Sequence, residues 1–251
     1  MGGEPIRTVA LRETAAAVTG ARLGAIDAEV LGAAAPPVLE RSFDAVSGPI
    51  AAPLRQALRA AVVGAVGRSE TTPPWWVDAL ARQPRAGATR PGHARIMLQP
   101  EESHAEHCWV VAVGAVLCAP GYGAEIEAPF LCGLAHHLHN AVLPDSGFAG
   151  EALLEEELEP LLARLTDAAL AELPASLRGQ AVEALRLREA ADSAESRAFH
   201  AADVLDRVLE MRHHARAAAF TVEQALSELE LVHAGPTQAF GLDVLERAGL
   251  R

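Results

Sequence analysis

The sequence is short of aromatic residues and of β-branched runs. Aromatic side chains make up 4% of its 251 residues, whereas half of the residues are apolar and alanine is abundant. Scarce β-branched and aromatic residues argue against a sheet, and alanine favours helices that pack closely together. We therefore expect an all-α fold with a sizeable hydrophobic core.

Excess positive charge is also missing. The chain has 21 basic and 33 acidic residues, a formal net charge of -12 with histidine neutral. Such a chain has no general attraction to nucleic acid or to an anionic membrane surface. The longest apolar run, residues 108–119, is too short to span a bilayer, and no signal-peptide core follows the charged N-terminus. We expect a cytoplasmic protein without nucleic-acid or membrane partners.

Cysteine is rare and carries no motif. The cysteines are odd in number, lack CxxC spacing and all lie within apolar stretches; they are Cys108, Cys118 and Cys132. They are expected to be buried, reduced thiols, which agrees with a cytoplasmic location. The sequence also lacks a GxGxxG motif, a P-loop and internal repeats.

Helical periodicity runs through most of the chain. Pro36 and Pro37 are expected to interrupt the N-terminal helices. An arginine-bearing loop is expected at 82–100, as a lid or a solvated surface segment, and a turn at 143–150. The predicted helices are residues 9–18, 25–33, 54–66, 71–81, 108–119, 128–134, 151–172, 175–191, 194–219, 222–231 and 237–248. Two units are expected, an N-terminal helical extension at 1–90 and a second domain at 91–251.

Histidine is concentrated in one stretch. His104 and His107 directly precede one apolar helix, and His136, His137 and His139 follow the next. Imidazoles at the ends of buried helices, joined by a carboxylate from elsewhere, are what a buried metal centre requires. The opposing interpretation, that each histidine is an ordinary hydrogen-bonded side chain, explains a single residue better than a cluster.

The carboxylate is expected from a later helix. Asp203 lies within the alanine- and leucine-rich face of residues 194–219, where an unpaired carboxylate would be costly. Asp206 is one turn away and shares a neighbouring face of that helix.

This order of motifs resembles the HD-domain superfamily of metal-dependent phosphohydrolases, nearest the branch that includes bacterial 5'-nucleotidases. The similarity rests on Ala105-Glu106-His107, on Leu134-Ala135-His136-His137 and on Ala201-Ala202-Asp203, and it extends over about residues 95–250. It implies an HD-like helical bundle. It also implies a divalent transition metal (Zn, Fe, Mn, Co or Ni) held by His107, His136, His137 and Asp203.

The sequence departs from that pattern in the paired motif. His137 stands where the family has aspartate, and Asn140 stands where the branch has a glutamate that transfers protons. Asp145 matches a further carboxylate of the family. The resemblance thus places the catalytic positions at Glu106, Asn140 and Asp145, although an asparagine cannot shuttle protons.

Three functions remain open from the sequence. The first is a metal-dependent phosphohydrolase acting on a small, anionic, nucleotide-like phosphate ester, and a homodimer is compatible with it. The second is a non-haem iron oxygenase, in which His104, His139 and His200 serve a second metal or support the first. The third is a non-catalytic HD-like binding protein.

Overall fold

The predicted all-α architecture is confirmed. The computed structural model describes residues 4–20, 29–65, 72–145, 147–215 and 220–251, and within these ranges the regular secondary structure is helical. The helices are α1 (Ile6–Thr19), α2 (Ala35–Val46), α3 (Ala52–Ala61), α4 (Trp75–Arg82), α5 (His104–Tyr122), α6 (Glu127–Ala135), α7 (Gly147–Leu154), α8 (Leu158–Leu170), α9 (Ala175–Leu185), α10 (Ala194–His214), α11 (Val222–Glu228) and α12 (Gln238–Arg247).

The prolines near the N-terminus start a helix. Pro36 and Pro37 lie in the first turn of α2, where a missing backbone N–H costs nothing because it has no intrahelical acceptor. A new helix does begin at these prolines, after the predicted helix at 25–33, but α2 itself was not predicted. Residues 25–28 of the expected helix at 25–33, and Val66 and Thr71 of two others, lie outside the described residues.

The long acidic helix predicted at 151–172 is two helices. Residues Glu155–Glu157 form a 3₁₀ turn between α7 and α8, and Glu155 has a left-handed φ of 46°. Glutamates lie four residues away on both sides, at 151 and 159, and like charges at this spacing destabilise a helix. The predicted buried leucine face fails at Leu153, which is 83% exposed.

Other helix ends also differ from the expectation. The turn predicted at 143–150 is shorter, because α7 begins at Gly147. The helix predicted at 175–191 ends at Leu185 and continues as the 3₁₀ turn Arg186–Arg188. Helix α10 ends at His214, and residues 216–219 of the corresponding prediction are not described.

Helices α5, α6 and α10 form the centre of the fold, and small residues let them approach closely. A Cβ atom added to Gly133 of α6 would lie 2.5 Å from the Cα of Ala112 in α5. On another face of α5, a Cβ on Gly114 would lie 3.2 Å from the Cβ of Ala202 in α10. The close crossings bring the N-terminal end of α5, the C-terminal end of α6 and the middle of α10 together.

The N-terminal helices pack onto this centre. Leu39, Phe43 and Leu58 are fully buried in the same apolar cluster as Val116 of α5 and Phe130 of α6. The domain boundary at residue 90 stays a prediction. Of the helices that the structure describes, none has the length and apolar character needed to cross a membrane.

The cysteines are unpaired thiols. Cys108 and Cys132 are buried, and Cys118 is partly buried. Burial raises the pKa of the Cys108 thiol to about 12 and that of Cys118 to about 11, so both stay protonated near neutral pH. This agrees with the predicted reduced, unreactive thiols.

Candidate metal centre

The start of α5 is fixed by a capping box, and this places two histidines in its first turn. The Ser103 hydroxyl accepts from the backbone N–H of Glu106 at 3.2 Å, and the Glu106 carboxylate accepts from the Ser103 backbone N–H at 2.8 Å. His104 and His107, one turn apart, are fully buried. Glu106 is exposed and engaged in the cap, so its predicted catalytic role gains no support from this geometry.

The end of α6 fixes the tautomers of two further histidines. His136 Nδ1 lies 2.8 Å from the carbonyl oxygen of Gly133, to which only an N–H can donate. His137 Nδ1 lies 2.9 Å from Asn140 Oδ1, and the Asn140 amide is oriented by donating from Nδ2 to the Leu143 carbonyl at 3.1 Å. Both neutral imidazoles therefore carry the proton on Nδ1, which leaves the lone pair of Nε2 available to a metal ion.

These histidines meet the aspartate of α10. His107 Nε2 lies 3.1 Å from His136 Nε2 and 3.5 Å from Asp203 Oδ1. One ligand atom each of His107, His136 and His137 can be chosen so that all lie within 4.8 Å of one another. The end of α6 thus brings His136 and His137 to His107 of α5, and α10 brings Asp203 to the same His107.

The spacing of these atoms fits a metal coordination sphere. Around a tetrahedral Zn²⁺ with nitrogen ligands at about 2.0–2.1 Å, neighbouring ligand atoms lie about 3.3–3.4 Å apart. The contacts of 3.1 and 3.5 Å made by His107 Nε2 bracket that value. The donor set therefore fits a divalent transition metal.

Burial keeps the imidazoles in the neutral form that binds metals. It lowers the pKa of His136 to about 4, and it lowers the pKa of His107 and His137 well below the usual value. Burial acts to raise the pKa of Asp203, but the positive charge of Arg207, 2.6 Å away, together with Arg85 and the imidazoles of His136 and His200, outweighs it and holds that pKa below its usual value. Asp203 is therefore ionised and the histidines neutral at physiological pH.

The additional histidines surround this group. The rings of His104 and His139 lie 5.1 and 5.6 Å from the ring of His137, centroid to centroid. Within the described part of the chain, His104 Nε2, His139 Nδ1 and His200 Nε2 are buried without a hydrogen-bond partner. Their predicted part in a second metal or in support of the first stays a prediction.

Asp145 and Asn140 hold the site together. Asp145 accepts from the backbone N–H of Ala86 at 2.8 Å and from that of Gly147 at 3.0 Å, and it lies 3.6 Å from His104 Nε2. It thereby ties the loop after α6 to the segment before α5. Asn140 is buried and engaged with His137, which assigns it to orienting an imidazole.

A cavity of about 430 Å³ opens beside the histidines, and arginines line it. They are Arg85, Arg95, Arg188 and Arg207. Its volume is in the range of small-molecule sites.

The arginine lid predicted at 82–100 stays a prediction. The segment 82–100 does line this cavity, but two of its arginines point elsewhere. Arg82 pairs with Asp78 on the exposed face of α4. Arg90 pairs with Glu230 at 2.8 Å and bonds the carbonyl of Glu228 at 2.6 Å. These contacts fasten the loop to the C-terminal part of the chain.

The sequence did not indicate the part that several residues play beside the histidines. Asp206 Oδ2 lies 2.7 Å from His107 Nδ1, and its spacing of three from Asp203 was the available signal. Arg85 pairs with Glu102 at 2.7 Å next to Asp206. Arg188 follows α9 in a 3₁₀ turn and donates to the His136 carbonyl at 3.2 Å; nothing in the sequence singles it out.

Comparison with known families agrees with this geometry. A model of the HD domain matches residues 77–237, which is more than half of the chain. The chain belongs to the HD-domain family. No curated protein and no solved structure gives a significant match.

Membership in the HD-domain family indicates the general type of reaction. It indicates a phosphohydrolase type that depends on a divalent metal, and the histidine-rich group of this HD domain is a possible site for one. The nearer relation to the 5'-nucleotidase branch stays a prediction. The match begins at residue 77, and so includes the arginine-bearing segment 82–100.

Proposed function

We propose that this HD-domain chain is a metal-dependent phosphohydrolase acting on a small phosphate ester, with the ion held by His107, His136, His137 and Asp203. One observation carries the proposal. The Nε2 atoms of His107 and His136 face each other at 3.1 Å, and the hydrogen bond of His136 Nδ1 to Gly133 leaves its Nε2 without a proton. A shared cation satisfies both atoms, beside the ionised Asp203.

The ligand set favours particular metals. Three imidazoles and one carboxylate suit Zn, Fe, Mn, Co or Ni better than Mg, which prefers oxygen ligands. With a divalent ion the formal charge of the centre is about +1. When bound, such an ion lowers the pKa of a coordinated water and stabilises negative charge on a phosphoryl oxygen.

The chain's own residues would position the substrate. Among the residues described, Arg95 and Arg188 face the cavity without an ion-pair partner, although Arg95 donates to the Ala86 carbonyl and Arg188 to the carbonyls of Leu185 and His136. Their remaining N–H groups are available to a phosphate, and a guanidinium can hold phosphate oxygens with two parallel hydrogen bonds. We assign phosphate binding to these two arginines.

Asp145 is the carboxylate proposed to orient the attacking water. Its backbone contacts to Ala86 and Gly147 fix its position beside the histidines. Asn140 serves a different purpose, since its amide orients His137 and cannot transfer protons at neutral pH. Asn140, predicted as a catalytic position, is therefore proposed to act indirectly, by orienting His137.

Metal content and turnover test the proposal together. The full chain is purified without added metal and analysed for bound metals. It is then assayed on a broad phosphomonoester panel before chelation, after chelation and after return of each metal. We expect turnover that chelator abolishes and a transition metal restores. A His107→Ala variant should lose both metal and turnover, and His93→Ala, at an exposed position, should keep both.

The other outcomes are informative. A bound transition metal with no turnover on any phosphate ester would favour the non-catalytic alternative. Bound iron with oxygen consumption would favour the oxygenase. A wild-type chain that binds no metal, and hydrolyses nothing with any added, would refute the proposal.

A further inference from the structure

A second aspartate of α10 lies directly behind one of the proposed ligands. Asp206 Oδ2 is 2.7 Å from His107 Nδ1, on the side of the ring opposite to His136 and Asp203. His107 is fully buried, and only 9% of the Asp206 side chain is exposed. This is a short contact between a buried carboxylate and a buried imidazole, with little water to compete for either group.

The Asp206 carboxylate lies near a counter-ion, the guanidinium of Arg85. Arg85 Nη1 lies 2.7 Å from Glu102, 3.7 Å from Glu210 and 3.9 Å from Asp206. Arg85 comes from the segment before α5, whereas Asp206 and Glu210 are on α10. The arginine therefore holds a partly buried acidic group in place under the histidine.

A competing interpretation is that Glu102, His107 and Asp206 themselves hold a cation, since one ligand atom of each lies within 4.8 Å of the others. The guanidinium of Arg85 already supplies the positive charge at this position. A metal ion there would be repelled by it. Support of His107 from behind explains the same contacts without that conflict.

We propose that Asp206 is a positioning residue, which accepts the Nδ1 proton of His107 and so aims its Nε2 lone pair at the ion. The inference rests on the proposed function, because it needs His107 to be a metal ligand. A hydrogen-bond acceptor at Nδ1 selects the tautomer that can bind and stops the ring from rotating. When ionised, Asp206 also strengthens His107 as a metal ligand and offsets the charge of about +1 at the centre.

Metal affinity tests this role independently of turnover. The chelator-treated full chain and its variants are titrated with Zn²⁺ against a chromophoric competitor, and with Co²⁺ followed by visible absorption. Burial raises the pKa of Asp206 to about 8, so the titrations are run at pH 8.5, where the carboxylate is largely ionised. Circular dichroism and urea unfolding in chelator check that each variant is folded.

The variants separate charge, acceptor and general disturbance. Asp206→Ala loses both charge and acceptor, and its affinity should fall about 10- to 100-fold. Asp206→Asn keeps an acceptor oxygen and should lose less, and Asp206→Glu should recover part of the affinity. Glu210→Gln is the matched control. It removes a carboxylate from the same helix and the same arginine but has no contact with His107, and its affinity should stay within about threefold of wild type.

Each result decides the matter. An altered Co²⁺ spectrum and weaker binding in Asp206→Ala, with Glu210→Gln unchanged, supports the positioning role. Unchanged affinity in Asp206→Ala overturns it and leaves the proposed function standing, provided that His107→Ala loses the metal. Two ions in wild type and one in Asp206→Ala would make Asp206 a ligand and overturn it as well. A wild-type chain that binds no metal overturns both proposals.

Discussion

His139 offers a test of how strongly the cluster of imidazoles is removed from water. Burial, together with the positive charge of Arg188 and the nearby His104, lowers its pKa to about 4, against the opposing effect of Asp145. The unfolded chain should show the ordinary value of about 6.5. The folded state therefore binds fewer protons, and the contribution of His139 to stability is fully present above pH 6.5. It is lost as the pH falls towards 4.

The size of the effect follows from the two pKa values. A difference of about 2.5 units corresponds to roughly 3 kcal/mol when complete, of which about 2 kcal/mol develops between pH 7 and pH 4.5. A His139→Gln variant lacks this titration. Relative to wild type, it should therefore gain about 2 kcal/mol of unfolding free energy on going from pH 7 to pH 4.5, whatever its stability at pH 7.

The assay is urea unfolding at both pH values, in chelator, with the difference between variant and wild type taken at each pH. That difference is required because other groups titrate in the same window. Burial raises the pKa of Asp206 to about 8 and that of Glu210 to about 7, and both act with the opposite sign. His93→Gln, at an exposed position, is the control. If the variant and wild type differ equally at both pH values, His139 is not shielded from water as described.

Two further predictions concern packing. Gly133→Ala should destabilise the chain by about 1–3 kcal/mol in urea unfolding, because the new Cβ would meet the backbone of Ala112 at 2.5 Å. The matched change Gly179→Ala, in α9 with nothing within 4 Å, should be neutral or stabilising. Equal effects of the two changes would contradict the close crossing of α5 and α6. Phe43→Ala should cost about 3–5 kcal/mol while keeping a single unfolding transition, since Phe43 is fully buried in a cluster shared with α5 and α6. A separate early transition of part of the chain would instead support an independent N-terminal unit.

The sequence was sufficient for the fold class and for four residues of the candidate site. Scarce β-branched residues and helical periodicity are local properties, and they led to an all-α fold. The histidines cluster in the sequence itself, and the motif around each one matches a known order. For that reason His107, His136, His137 and Asp203 could be selected without coordinates.

Helix interruptions were less predictable. Pro36 and Pro37 lie in the first turn of α2, and Glu155 follows the last residue of α7 with a left-handed φ of 46°. Proline in a first turn and glutamate in a helix are both ordinary. The residue at which a helix ends depends on the packing around it. The periodicity of apolar residues carries no information about that packing.

Only the tertiary structure decided how the site is supported. Asp206 and Arg85 are more than one hundred residues apart, and they meet beneath His107 because α10 crosses α5 closely. Likewise, Glu106 reads as a catalytic residue in sequence but caps its own helix in space. Residue type and spacing name the groups that can bind a metal. The nitrogen of His107 that carries the proton, and the charged group that lies next to that nitrogen, depend on distances of about 3 Å between residues far apart in the chain.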